Sequence, residues 1–267
     1  MRRLRPARRV PILLYHGVSP STSERFAPFV VTPDAFRAHL DLIAKAATAT
    51  CTVSRFVTAM TLGEPIPAGT VVITFDDAFA DFGAHALEPL HERDLDATLY
   101  VPTAHVGGTA GWLEPDGEQN RKLLNFDELR MLDGVVEIGA HSHTHPQLDL
   151  LSPGQLRAEV ATSKTVLEAE LDHPVHSFAY PHGFHDARVR QAVIDAGFRS
   201  ACAVKNACSS TDDDPFALAR VTVTADTTLD QLRRWVAGED LKPARRRQLL
   251  RTRAHRMARR AKTMVAR

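Results

Sequence analysis

Cysteine is scarce in this 267-residue sequence, and the three copies exclude more than they offer. Cys51, Cys202 and Cys208 form no C-x-x-C pair, and an odd count argues against a disulfide framework. The expectation is a reducing compartment, the cytoplasm. Long apolar runs are missing too, since none approaches the ~20 residues of a membrane span. The basic start, "MRRLRPARRVPILLYHGV", has too short an apolar stretch for a signal peptide. Acids are absent from both ends. Residues 2–9 carry five arginines, and residues 241–267 carry eleven Lys or Arg without one acid. The body between 10 and 240 holds all 32 acids against 17 basic residues, a net charge of −15 hidden beneath an overall +1. Nucleic-acid binders spread basic surface over the folded domain, so a nucleic-acid partner is not expected here. Neither an internal repeat nor a low-complexity tract precedes residue 241.

What is present reads as one large α/β domain with appendages. These are a basic extension over 1–9, a catalytic domain over 10–240, and a basic tail over 241–267, helical or disordered. Strand-like runs recur at 10–15, 70–75, 97–102, 135–139, 175–180, 200–204 and 220–223. Amphipathic helices lie between them. One opens at Thr32 with Pro33 in its first turn and aligns Phe36, Leu40 and Ile43. A second starts near Phe79 and repeats Phe82, Ala86, Leu87 and Leu90. A third starts near 152 with Leu156, Val160, Ser163 and Leu167 in register. A fourth ends on Gly197, a C-cap. Alternating β and α units with near-continuous apolar strands predict a parallel sheet covered by helices, and seven or eight units favour a closed barrel. In the tail, Ala254, Met257, Ala258, Ala261 and Val265 share a helical face with arginines elsewhere. Such a helix would lie peripherally on an anionic surface, the inner face of a membrane.

Two clusters carry chemistry. "VVITFDDAF" (71–79) ends a buried strand with adjacent carboxylates, Asp76 and Asp77. Neighbouring strand residues point opposite ways, so the chain must turn there before both serve one site, one ligating a cation and the other acting as a base. "AHSHTHP" (140–146) offers two ligand pairs. In a strand, His141 and His143 share a face, while His141 and His145 stand roughly 13 Å apart at ~3.3 Å per residue. In a helical turn, residues four apart come within ~5–6 Å. The first pairing points to an amidohydrolase, in which such a pair stands near the start of the barrel. Here it lies mid-chain behind an Asp pair, which favours His141 with His145 and leaves His143 a pocket residue. One Asp and two His leave a coordination position open, as in a catalytic zinc site. The Gly-rich segment 101–126 follows a strand end and should overhang the active face. Trp112 at its tip would stack on a substrate ring or cover the barrel mouth.

"TFDD" (74–77), "HSHTH" (141–145) and "FAYPHG" (178–183) together resemble the polysaccharide deacetylase family, the carbohydrate esterases of family four, over residues 10–240. The resemblance implies a distorted (β/α) barrel of about seven strands and metal-dependent removal of acetyl groups from an N-acetylated carbohydrate. It implies Asp76 as general base, Asp77, His141 and His145 as ligands of one divalent ion (zinc by donor type), and a backbone N–H at Tyr180-Pro181 for the oxyanion. The family's Arg ahead of the Tyr-Pro motif is missing, since Ser177, Phe178 and Ala179 stand there. Its late D-W segment and late Leu-x-His acid are also missing. Leu14-Tyr15-His16 at the first strand's end is similar instead to the circularly permuted branch, which includes poly-N-acetylglucosamine deacetylases, and makes His16 the expected general acid. Rival expectations are a deformylase or deacetylase of a small or lipid-linked sugar, and a non-catalytic carbohydrate-binding barrel.

Overall fold

Seven short apolar runs become seven parallel strands: β1 (Ile12–Tyr15), β2 (Thr70–Phe75), β3 (Thr98–Val101), β4 (Glu137–Ala140), β5 (Ser177–Ala179), β6 (Ser200–Val204) and β7 (Leu218–Thr222). The computed structural model describes residues 7–244. Each strand pairs with the next in sequence. Val221 and Thr222 of β7 then pair with Leu13 and Leu14 of β1, closing the ring. Closure leaves no open strand edge among the seven. β1, the first strand, therefore lies between β2 and the last strand, β7.

Among the described residues, seven α-helices pack outside: α1 (Pro33–Ala46), α2 (Val53–Leu62), α3 (Leu87–His91), α4 (Phe126–Leu132), α5 (Pro153–Leu171), α6 (Ala187–Asp195) and α7 (Leu229–Val236). Local chemistry sets their starts. The Thr32 hydroxyl caps α1 at Ala35, with Pro33 in the first turn, and α1 buries Phe36, Leu40 and Ile43 as the periodicity predicts. Ser152 and Gln155 form a capping box on α5, whose buried face is Leu156, Val160, Ser163 and Leu167. Gly197 follows α6 at φ +86°, a left-handed position that glycine adopts without strain. The helix expected from Phe79 differs. Phe79 pairs with Leu123 in an isolated antiparallel bridge. The chain coils only from Phe82, through a π-turn over Phe82–Ala86, into α3.

The first and last described segments meet at the foot of the barrel. Arg9–Val10 pairs antiparallel with Ser209–Ser210, the Arg9 guanidinium donates to the Leu241 carbonyl, and Cys208 bridges Pro243. The expected tail helix from Leu250 lies outside the described residues. Among the described residues, no helix is long and apolar enough to cross a membrane.

Candidate active site

Every residue of β2 is buried, and the chain leaves the strand through Asp76 and Asp77. Asp77 (φ +74°) and Ala78 (φ +49°) both enter the left-handed region. Aspartate tolerates that region better than most residues and alanine tolerates it poorly. This is the turn that two adjacent carboxylates need to face one site. It is held in place where the Ala78 carbonyl accepts the Leu124 N–H at 3.0 Å.

β4 ends at Ala140, and the histidine loop that follows is neither strand nor helix. Ser142 (φ +63°) and His145 (φ +62°) reverse it twice. Glu159 of α5 gathers the bend by accepting the His143 N–H (3.0 Å), the Thr144 N–H (2.8 Å) and the Thr144 hydroxyl (2.6 Å). His143 turns aside, with Nδ1 2.9 Å from the Thr103 hydroxyl. His145 swings back until its ring lies 4.9 Å from that of His141. The loop thus presents His141 and His145 together and directs His143 elsewhere.

Nε2 of His145 and of His141 lie 3.2 and 3.6 Å from Asp77 Oδ1. One donor atom from each of the three residues lies within 4.8 Å of the others, all buried. Asp77 Oδ1 and His145 Nδ1 have no hydrogen-bond partner, an expensive condition for buried polar atoms. His141 Nδ1 donates to the Ala179 carbonyl at 2.8 Å, which fixes the tautomer and leaves Nε2 with a free lone pair toward Asp77. Burial would raise the Asp77 carboxyl, but His145 and His141 overcome it and hold the group well below the usual carboxylate range. Burial pushes His141 down to about 4, against the pull of Asp76. One carboxylate and two imidazoles, convergent and short of partners, fit a divalent ion of zinc type.

Asp76 lies beside this cluster, with Oδ2 3.7 Å from His141 Nε2, and is paired with Arg220 of β7. Both carboxylate oxygens accept from the guanidinium, at 2.6 and 2.7 Å. Arg220 is 0% exposed. Its remaining donors reach the Thr74 hydroxyl and the Ala203 carbonyl, each at 3.3 Å, and its charge lies 5.5 Å from the centre of the Tyr100 ring. Burial raises the Asp76 carboxyl, but Arg220 and then His141 more than compensate, so the group stays ionised. The apolar run at 220–223 sets Arg220 at an apparent strand start. The strand begins at Leu218, which places an arginine in the middle of a buried strand, and such a charge requires a partner.

His16 follows β1 directly. Burial lowers its pKa against the fields of Asp77 and Asp76, and its Nδ1 is buried without a hydrogen bond. Trp112 does not stand free as a sugar platform. It stacks on His145 at 4.6 Å and 29°, and meets His105 edge-on at 4.7 Å. His182, at φ +57°, brings its ring 4.9 Å from His145, while His185 lies flat on Tyr180 at 4.5 Å. The oxyanion expectation at Tyr180-Pro181 is corrected. The Tyr180 N–H donates to the Cys202 carbonyl at 3.0 Å, continuing the sheet ladder, and Pro181 has no N–H. The Tyr180 hydroxyl donates to the Phe216 carbonyl at 2.9 Å and the residue is 0% exposed. Tyr180 therefore supports the barrel wall.

Several known proteins are similar to this chain. A family model described as polysaccharide deacetylase matches residues 63–201. YxkH of Bacillus subtilis (strain 168), by assignment a polysaccharide deacetylase, is 26% identical over 220 residues, covering 82% of this chain and 73% of its own. The Streptococcus pyogenes deacetylase PplD, solved in complex with acetate, superposes with a TM-score of 0.72 at 23% identity, over 84% of this chain and 96% of its own. IcaB from Ammonifex degensii also gives 0.72, at 20% identity, over 86% and 97%. At these identities the two structures establish the shared fold.

Proposed function

Because the chain belongs to the polysaccharide deacetylase family, we propose that it hydrolyses the N-acetyl group of an amino sugar in a saccharide or glycoconjugate, with one divalent ion, zinc by donor type, at Asp77, His141 and His145. The observation that carries this reading is the division of labour at the tip of β2: Asp77 turned to two imidazoles, Asp76 turned to a buried arginine. When bound, the ion supplies Lewis acidity to the acetyl carbonyl and makes water nucleophilic near neutral pH. Asp76, kept ionised by Arg220, takes a proton from the water that attacks the carbonyl carbon. An amine leaves poorly unless protonated, and His16 gives its proton to the nitrogen as the C–N bond breaks. Acetate and a free amino sugar result. Trp112, stacked on His145, and His143, bonded to Thr103, keep the ligand loop in place rather than bind the ion.

Incubation of the zinc-supplemented protein with N-acetylated oligosaccharides and lipid-linked amino sugars, with acetate and formate release as readouts, tests the reading. Acetate from an oligosaccharide is the expected result. Formate release, or acetate only from small or lipid-linked sugars, moves the substrate class. Sugar binding with no acyl release makes the barrel a non-catalytic carbohydrate binder. The proposal extends to location, in the cytoplasm at the anionic inner face of a membrane. Its support is the run of eleven cations after residue 240 without one acid. Because residues 241–244 pack on Cys208, the truncation that tests it ends after Ala244. Equal binding of full-length and shortened chains to anionic vesicles overturns it.

A further inference from the structure

Directly after β1, Gly17–Val18 pairs in parallel with Val30–Val31, Gly17 opposite Val30. One residue back along both segments, this register sets Phe29 beside His16. Their ring centroids are 5.4 Å apart at 63°. The pairing is tight, because a Cβ on Gly17 would meet Val30 Cγ2 at 3.0 Å and the Arg121 guanidinium at 2.9 Å. Three further contacts hold Phe29 in place. Its N–H donates to the Phe26 carbonyl at 2.9 Å, and the Pro28 carbonyl accepts from Ala225 at 3.1 Å. Behind it lies the buried ring of Phe26, 5.6 Å away, itself packed on Phe79 at 5.9 Å and under Arg121 at 5.4 Å. Phe29 is nevertheless 40% exposed, and it is the one aromatic among the large apolar side chains exposed in the described residues. Single exposed apolar side chains are ordinary. A rigidly backed aromatic at the shoulder of the acid histidine is not.

We propose that Phe29 is the stacking platform for the amino-sugar ring on the leaving-group side of the cleft, and thereby a determinant of saccharide specificity. The proposal deepens the deacetylase reading and rests on it. If His16 protonates the departing nitrogen, the carbon bearing that nitrogen and the ring around it must lie within a bond or two of the imidazole. Phe29 is the surface that meets them there. An apolar ring face against the C–H face of a sugar, with polar groups at its rim, is the usual composition of a small-ligand site. Trp112 cannot supply it on the same side, because its ring is committed to His145.

The test compares kcat/KM for an N-acetylglucosamine oligomer with kcat/KM for a small acyclic acetyl ester, which has no ring to stack. For Phe29→Ala the preference for the oligomer should fall roughly 3- to 10-fold, mostly through KM, with bound zinc unchanged. Phe29→Tyr should restore it and Phe29→Leu should not, which separates stacking from bulk. An unaltered preference in Phe29→Ala with intact zinc overturns the proposal. So does full recovery by Phe29→Leu. If wild-type protein releases no acetate from any amino sugar, the reaction reading fails by itself. Calorimetric binding of the oligomer, lost in Phe29→Ala and kept in Phe29→Tyr, would then still uphold the platform, and its absence from wild type would overturn both.

Discussion

β1 has two neighbours in the barrel, and they serve the site in opposite styles. β2 ends in contiguous chemistry: two adjacent carboxylates and a forced left-handed turn. β7 contributes a single residue, Arg220, 144 positions away from Asp76 in sequence, yet both carboxylate oxygens of Asp76 rest on it. Adjacent carboxylates at a strand tip announce themselves. A lone buried cation does so only once the ring is closed and β7 is known to lie one strand from β2. A function read from motifs is therefore complete on the side where the reacting groups cluster, and blind on the side that sets their charge.

The sharpest break in this comparison is on the β2 side. Asp77→Ala, His141→Ala and His145→Ala should each abolish stoichiometric zinc by elemental analysis. His143→Ala should keep it, because that imidazole is engaged with Thr103. Loss of zinc in His143→Ala with retention in His145→Ala would restore the strand pairing of His141 with His143 and take the deacetylase assignment with it. Next in size is His16, on the strand between the two. His16→Ala should keep zinc and fold and lower kcat for the amide by ~10²–10⁴. The loss should be smaller for an ester, whose leaving group departs with less help. Full amidase activity in His16→Ala, with none in His182→Ala, would place the acid on the His182 turn instead.

Most of the barrel was legible, because the strand runs are apolar and bounded and α1 and α5 carry their capping residues in the open. The carboxylate turn was legible as a requirement before its φ values were known. Three features were not. Arg220 was hidden by a two-residue error in where its strand starts, which turned a mid-strand charge into an apparent strand end. The family resemblance implies a backbone donor at Tyr180-Pro181, but the sheet ladder runs one residue past β5 and consumes the N–H. Phe79 has helical spacing with Phe82, yet the insertion claims it first through Leu123. In each case a long-range partner overrode a local pattern.

The β7 side can be broken by removing Arg220. Arg220→Met keeps volume and leaves the Asp76 carboxylate buried without its partner, which should cost about 3–5 kcal/mol in urea denaturation. Adding Asp76→Asn to that variant should return much of the stability, since no unpaired charge then remains, while deacetylation stays lost. Equal stability of Arg220→Met and wild type would show that the pair is not what keeps Asp76 charged. Double-variant stability no better than that of Arg220→Met would show that Arg220 acts through packing alone.

A smaller effect comes from a second acid–arginine pair, four residues beyond the β2 motif, which shows what Asp76 would be without bidentate support. Asp81 accepts the Val18 N–H at 3.3 Å, and Arg121 Nη1 stands 3.4 Å from its Oδ2, an oxygen left without a hydrogen bond. Burial pushes its carboxyl up to about 6, Arg121 only partly opposing this, with Glu118 adding repulsion. An unfolded aspartate titrates near 3.9. Between those two values the folded chain keeps a proton that the unfolded chain has released. Stability must therefore fall as pH rises through that window, and the penalty is complete above about 6. Asp81→Asn removes the ionisation and can still accept the Val18 N–H. Relative to wild type it should gain about 1–3 kcal/mol at pH 7.5 and much less at pH 4.5, measured by urea denaturation at both. Comparing variant with wild type at each pH cancels the changes in zinc occupancy that both share. A gain that is the same at both pH values would mean that Arg121 neutralises Asp81 as fully as Arg220 neutralises Asp76, and the contrast between the two pairs would disappear.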